Sequence, residues 1–199
     1  TTVAGPAGDV LPEGTNTLEI RVDDNAGNSQ SVTHTFTVDT IPPDTAINAL
    51  STWYTAADNP LTITGTCGDG VSVDIDITGT VTSISDNVTC TNSSWSYDLT
   101  FVAEEAYTIS AAAIDQATNK DQTPAPATIS YDQTKPSITF TTPADGLLTN
   151  DNTPPLDATF GDNFSGVDNT TRDYLVNGTS VPLTTTVTGP AGVGLPEGT

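Results

Sequence analysis

The chain repeats itself, and the spacing of the repeat limits what it can fold into. Ile20 to Asp44 reads IRVDDNAGNSQSVTHTFTVDTIPPD: an alternating strand, an acidic turn carrying glycine, a second alternating strand and an acidic proline-rich linker. A degenerate copy runs from Ala111 to Pro136, AAAIDQATNKDQTPAPATISYDQTKP. In it Asp115 falls on Asp24, Asn119 on Asn28, Asp132 on Asp39 and Pro136 on Pro43. The turns align at a shift of 91 residues and the linkers at 93. Thr186 to Thr199 (TVTGPAGVGLPEGT) repeats Thr2 to Thr15 (TVAGPAGDVLPEGT) at a shift of 184, with eleven of fourteen residues identical.

Three stretches follow from this arithmetic. Residues 1–39 hold the closing strands of a split domain, residues 40–132 a complete domain, and residues 133–199 the opening strands of another split domain. Both ends then cut through a repeat, so the segment is expected to belong to a longer protein. On that reading the lack of a signal peptide or transmembrane run carries no information on location.

Apolar residues alternate with polar ones along short runs, the mark of half-buried strands. Leu18, Ile20 and Val22 share one face of the first run, and Val32, His34, Phe36 and Val38 share one face of the second. In the complete domain, strands are expected near Thr45–Leu50, Leu61–Cys67, Val71–Ile77, Val88–Thr91, Trp95–Phe101, Tyr107–Ile114 and Thr128–Tyr131. Seven short strands between Gly, Asn, Asp and Pro clusters predict a β-sandwich. The third stretch predicts a strand over Leu156–Phe160, an acidic loop GDNFSGVD and a hairpin turning at Asn177-Gly178. The fold class is therefore all-β: tandem immunoglobulin-like sandwiches, one complete and two complementary parts.

Twenty-five acids against four bases give a formal net charge of −21. Nucleic acid and anionic membranes are poor partners for such a chain, because phosphate binding needs a basic footprint. Cations suit it better, and the acids sit at turns and linkers rather than in a tail; acids kept for solubility are the alternative. Cys67 and Cys90 are the two cysteines. A disulfide between them would stabilise by about 3 kcal/mol on the chain-entropy account; two buried free thiols remain the alternative. His34 is the single histidine, so it reads as a packed or interface side chain rather than a catalyst. Trp95 reads as core, with sugar stacking as the alternative.

DNAGN at Asp24 to Asn28, the VDTIPP linker, SSWSYDL and EEAYTISAAAID together resemble tandem bacterial immunoglobulin-like repeats. Repeats of that kind form the extender regions of very large bacterial surface adhesins, including those exported with RTX-type tails. The resemblance implies sandwiches joined end to end, neighbouring repeats of the same chain as partners, calcium stiffening the junctions, and an extracellular location on the bacterial surface. This sequence departs from the pattern at Thr118, where the second turn has lost its glycine, and in the less acidic linker from Asp132 to Lys135. The calcium-binding nonapeptide of RTX tails and the EF-hand loop are both absent. LPEGT resembles a sortase signal only at a glance, and the five Asn-x-Ser/Thr matches read as accidents of a Thr-rich composition.

Calcium takes six to eight hard oxygen ligands, which a gathering of carboxylates and carbonyls can supply. Loop positions in an immunoglobulin sandwich say which acids can meet. The first junction is expected to collect Glu13, Asp39, Asp44, Asp69 and Asp115. The second is expected to collect Glu104 or Glu105 with Asp132, Asp162 and Asp168, and Asp24 would join such a site only through a neighbouring molecule. Turn-capping aspartates are the alternative for all of them. Catalysis is disfavoured: no cleft or aromatic-lined subsite is evident for a carboxylate pair, and no acid stands ready to orient His34 as a base.

The function expected is a calcium-stiffened spacer that projects a distal binding region. The alternatives are a carbohydrate- or host-protein-binding module using the Asp162 to Asp168 loop, and an accessory module of a secreted polysaccharide-degrading enzyme. Each partial domain alone would expose an apolar face and unpaired backbone. Head-to-tail copies of the chain are therefore expected to complete one another, burying Leu18, Ile20, Val22 and Phe36.

Overall fold

The computed structural model describes residues 10–181. The second copy of the GPAG to LPEGT segment, Thr186 to Thr199, and most of the first lie outside the described residues. Among those described the protein is all-β, and no helix is long and apolar enough to cross a membrane. It divides into two compact units. The first comprises the chain up to Thr52 together with Asn59–Ile129, and the second comprises Trp53–Asp58 together with Ser130 onward.

The first unit opens with a hairpin of β1 (Gly14–Asp23) and β2 (Ser29–Val38), in unbroken register from Gly14 opposite Val38 to Asp23 opposite Ser29. Directly opposed residues share a face of an antiparallel ladder. Leu18 and His34, Ile20 and Val32, and Asn16 and Phe36 thus lie on one side, and Thr17, Thr33, Thr35 and Thr37 on the other. The alternation is as the sequence predicts, but the half-burial is not. Both faces are open, with Ile20 65% exposed, because a two-stranded ribbon has no second layer of its own.

The sandwich follows. β3 (Ala46–Ile47), β5 (Leu61–Thr66) and β8 (Ser94–Leu99) form one sheet in the order β3-β5-β8. β6 (Ser72–Thr78), β7 (Ser83–Thr89), β9 (Glu105–Ile114) and β10 (Ala127–Tyr131) form the other in the order β10-β9-β6-β7. Val73, Ile75 and Ile77 are buried between Asp74 and Asp76, and Tyr107, Ile109, Ala111 and Ala113 line the neighbouring strand. With Ile63, Trp95 and Leu99 they make the core, each large aliphatic contributing about 1.5–3 kcal/mol. The indole N–H of Trp95 donates to the Thr66 carbonyl at 3.1 Å, and the ring lies across Gly65, where any Cβ would sit 2.5 Å from it. Trp95 is core.

Two further features tie the layers. Tyr107, near the start of β9, donates its hydroxyl to the Ala103 carbonyl at 2.7 Å and accepts the Ala103 N–H at 3.2 Å, the tyrosine corner of immunoglobulin-like sandwiches. Cys67, after β5, is bonded to Cys90, after β7, so a covalent link joins the two sheets. The expected strand Val88–Thr91 is instead β7, paired with β6 from Thr78 opposite Ser83 to Ser72 opposite Thr89. This edge strand carries polar side chains on its open side, so apolar alternation does not mark it.

In the second unit β4 (Trp53–Tyr54) runs parallel to the end of β10, Trp53 opposite Ser130 and Tyr54 opposite Tyr131, a pairing the sequence reading did not anticipate. A 3₁₀ turn, Ala56–Asp58, follows it. β11 (Ser137–Thr142) pairs with β12 (Asp157–Gly161), and β13 (Tyr174–Val176) with β14 (Thr179–Val181) through Asn177 and Gly178, whose φ values of 52° and 79° suit a type I′ turn. β11 turns Ile138 and Phe140 to solvent, Phe140 with 69% of its surface exposed.

Candidate functional site

Aspartates organise the turns and linkers. Asp24 Oδ1 accepts the N–H groups of Ala26 (2.9 Å) and Asn28 (2.8 Å), and Oδ2 accepts the Asn28 amide at 2.7 Å. These bonds, led by that of the Asn28 side chain, hold its pKa below the ordinary aspartate value. Asp115 repeats the arrangement with the Asn119 N–H at 2.9 Å and the Asn119 amide at 2.8 Å, but it is buried. Burial pushes its pKa up, and the Asn119, Ala117 and Thr118 donors more than offset this, leaving it lowered.

The first linker is bound into this second turn. The Asn119 amide nitrogen that serves Asp115 also lies 3.0 Å from the Asp39 carbonyl and 3.5 Å from Asp39 Oδ1. Asp39 Oδ1 in turn accepts the Ile41 N–H at 3.2 Å. Upstream, Glu13 receives the Thr40 N–H at 3.1 Å on one oxygen and the Thr40 hydroxyl on the other. Asp44 and Asp69 are exposed, with the backbone of Asp44 lying against Gly68.

The second linker carries a matching clamp. Asp132 is buried; its Oδ1 accepts the Thr134 N–H at 3.0 Å and its Oδ2 the Ser165 N–H at 3.0 Å. The Ser165 side chain, ahead of its desolvation, sets the direction of its pKa, which is lowered. Asp162 folds its own loop around itself, accepting from Phe164 (3.0 Å) and Gly166 (2.8 Å). Asp168 accepts the Thr170 N–H at 2.8 Å and hydroxyl at 2.7 Å, which hold its pKa down.

The acids expected to gather do not form one cluster. Among the described residues no three His, Cys, Asp or Glu side chains are grouped as a metal site. Glu13 is held by Thr40, Asp162 and Asp168 by their own turns, and Asp44 and Asp69 face solvent. What the structure brings together is Asp39 and Asp115, on one amide of Asn119: two carboxylates and one carbonyl, fewer oxygens than calcium takes. Glu105 is turned onto the β6–β7 connection. It accepts the Thr82 hydroxyl and, at 2.9 Å, the Val81 N–H, over a Gly79 whose Cβ would meet the carboxylate. Burial raises its pKa, and these donors bring it below the ordinary glutamate value. The sequence reading missed Asn119 and Ser165, although both stand inside loops it singled out.

No family model and no curated protein matches the chain. One similar solved structure is a Ca2+-stabilized adhesin with which an Antarctic bacterium reaches out and binds ice. The two are 23% identical with a TM-score of 0.33, over 73% of this chain and 40% of that one. The chain thus spans well under half the length of that structure.

Proposed function

We propose that the chain is a structural spacer of a bacterial cell-surface adhesin, a non-catalytic run of sandwiches that holds a distal binding region away from the cell. The observation that carries this reading is the recurring clamp on the linker. Asp39 is gripped by Asn119, and Asp132 by Ser165, so the aspartate closing one repeat is held by a loop of the repeat that follows. Such bonds remove freedom at the hinge, which is what a spacer under load needs.

Calcium is the second part of the proposal. Turning the Asn119 amide over presents its oxygen where its nitrogen now stands, beside Asp115 Oδ2 and the two Asp39 oxygens, with water completing the ion's coordination. Calcium at a hundredfold excess over its Kd should then add about 2.7 kcal/mol of stability, and a chelator should reverse it. Asp39→Ala and Asp115→Ala should each weaken calcium binding in calorimetry while leaving the β circular dichroism in place. No thermal response to millimolar calcium, or unchanged affinity in both variants, defeats this part.

A second reading rests on a groove of about 780 Å³ in the second unit, lined by Trp53, Lys135, Val167 and Asp168. Trp53 is half exposed there, edge to face with Phe164 at 5.6 Å. An aromatic beside charged groups suits a carbohydrate ring. A glycan-array signal abolished by Trp53→Ala would favour this binding module over the spacer.

A further inference from the structure

One base in the second linker is left without a partner. The chain has four bases. Arg21 lies 3.8 Å from Asp23, Lys120 holds Asp74 at 2.6 Å, and Arg172 reaches Asn169 and lies over the Phe160 ring. Lys135 is exposed and has neither a hydrogen bond nor an ion pair among the described residues. That is unexpected where acids outnumber bases by 25 to 4. The groove that Lys135 lines belongs wholly to the second unit, and two aspartates, Asp132 and Asp168, line it as well.

Those aspartates are engaged elsewhere. Both oxygens of Asp132 are taken, by the Thr134 and Ser165 N–H groups at 3.0 Å each. Asp168 accepts the N–H and hydroxyl of Thr170 on Oδ1, which leaves Oδ2 without a partner among the described residues. Trp53 is 46% exposed in the same groove, with Phe164 against it edge to face. The groove therefore offers one aromatic ring, one free acceptor oxygen and one free cation. A neutral sugar uses the first two, laying its C–H face on the indole and donating a hydroxyl to the carboxylate. Only a ligand that also carries an anion uses the third, through a charge-assisted hydrogen bond roughly twice as strong as a neutral one.

We propose that this groove binds a glycan through a single carboxylated sugar, with the carboxylate on Lys135, a hydroxyl on Asp168 and the ring against Trp53. The proposal rests on the carbohydrate reading of the same groove and names the class of sugar. One ammonium beside two carboxylates makes no basic footprint, so a polyanion stays a poor partner while one acid in an otherwise neutral glycan is accepted. Lys135 is then the residue that selects the acidic sugar over its uncharged analogue. Repulsion from the net charge of −21 does not forbid this, because in ~0.15 M salt it is screened beyond ~8 Å, whereas the ammonium acts at hydrogen-bond distance.

Ligand-observed NMR titration of the full chain in that salt tests it. The probes are the methyl glycosides of glucuronic, galacturonic and N-acetylneuraminic acids, each against its own methyl ester, which keeps the ring and removes the charge. At least one acid should bind, about tenfold tighter than its ester. Lys135→Gln should lower that acid to the affinity of its ester and leave the ester unchanged, while Lys135→Arg should keep the preference. Lys135 is exposed, so circular dichroism should be the same in all three proteins. Equal binding of acid and ester, or a preference that survives Lys135→Gln, would overturn the proposal and leave the carbohydrate reading standing. Binding of none of the acids or esters would overturn both.

Discussion

In the first hairpin the turn at Asp24 to Asn28 closes a ladder that continues for ten residues on each side. The copy at Asp115 to Asn119 is followed by one bridge, Ile114 to Lys120, before the chain leaves the sheet and returns at Ala127. Two residues more lie between the second turn and its linker, and Pro124 and Pro126 among them have no N–H to give a ladder. The turns themselves remain alike: each aspartate accepts the backbone and side-chain N–H of the asparagine four residues on, and each asparagine carbonyl accepts the aspartate N–H. The environments differ. Asp24 is in solvent, whereas Asp115 is buried and its asparagine reaches the linker. Local sequence therefore makes the turn, and the neighbouring strands decide whether it becomes a joint.

The largest test of that contrast is covalent. Reducing the Cys67–Cys90 bond, which spans 23 residues, should cost the complete sandwich about 3 kcal/mol in urea unfolding. The β1–β2 hairpin, which contains no cysteine, should keep its amide-exchange protection. Loss of protection in both together would mean that the hairpin borrows its stability from the sandwich.

A smaller test concerns the turn's left-handed residue. Gly27 adopts φ 89° without strain, whereas Thr118 is held at φ 73° with a branched side chain. Thr118→Gly should stabilise by about 1 kcal/mol and Gly27→Thr should destabilise the hairpin by a similar amount. An unchanged denaturation midpoint for Thr118→Gly would show that the linker contact, not the backbone, governs this position.

The mildest effect is on pH. Asp115 and Glu105 have folded-state pKa values lowered by their donors, so the unfolded chain binds more protons in acid. Their contribution is complete above the ordinary carboxylate values near ~4 and is lost as pH falls through the lower folded values. Unfolding midpoints measured downward from pH ~6 should decline only at that acid end. A decline beginning near pH ~6 would show that these two carboxylates do not set the acid limit of stability.

The hairpin faces and the core of β6 and β9 were legible because an alternation of period two says which residues share a side. β7 was not, since an edge strand built of Ser, Asp, Asn and Thr has no apolar signal. The place of Glu105 on the β6–β7 connection was not legible, because its partners, Val81 and Thr82, stand more than twenty residues away and nothing local distinguishes a buried carboxylate from an exposed one. The linker clamp was half legible. Asp39 and Asp115 stand out in the sequence as acids of a linker and of a turn, but the Asn119 that bonds both lies 80 residues from the linker and is a neutral amide, which a search for acids passes over. Tyr107 carried a signal that went unused: a tyrosine opening a strand, four residues after a turn.

The bond between Cys67 and Cys90 also sets how far the domain can be drawn out. The cysteines are 23 residues apart in sequence and 6.2 Å apart between Cα atoms. A chain gains at most about 3.3–3.6 Å per residue when pulled straight, so roughly 75 Å of slack is locked away from any force applied at the two ends. A sandwich that gives way under tension would thus lengthen by less than its residue count allows. The strands held inside that loop, β6 and β7, would stay tethered as a template on which the rest can refold when the load is released.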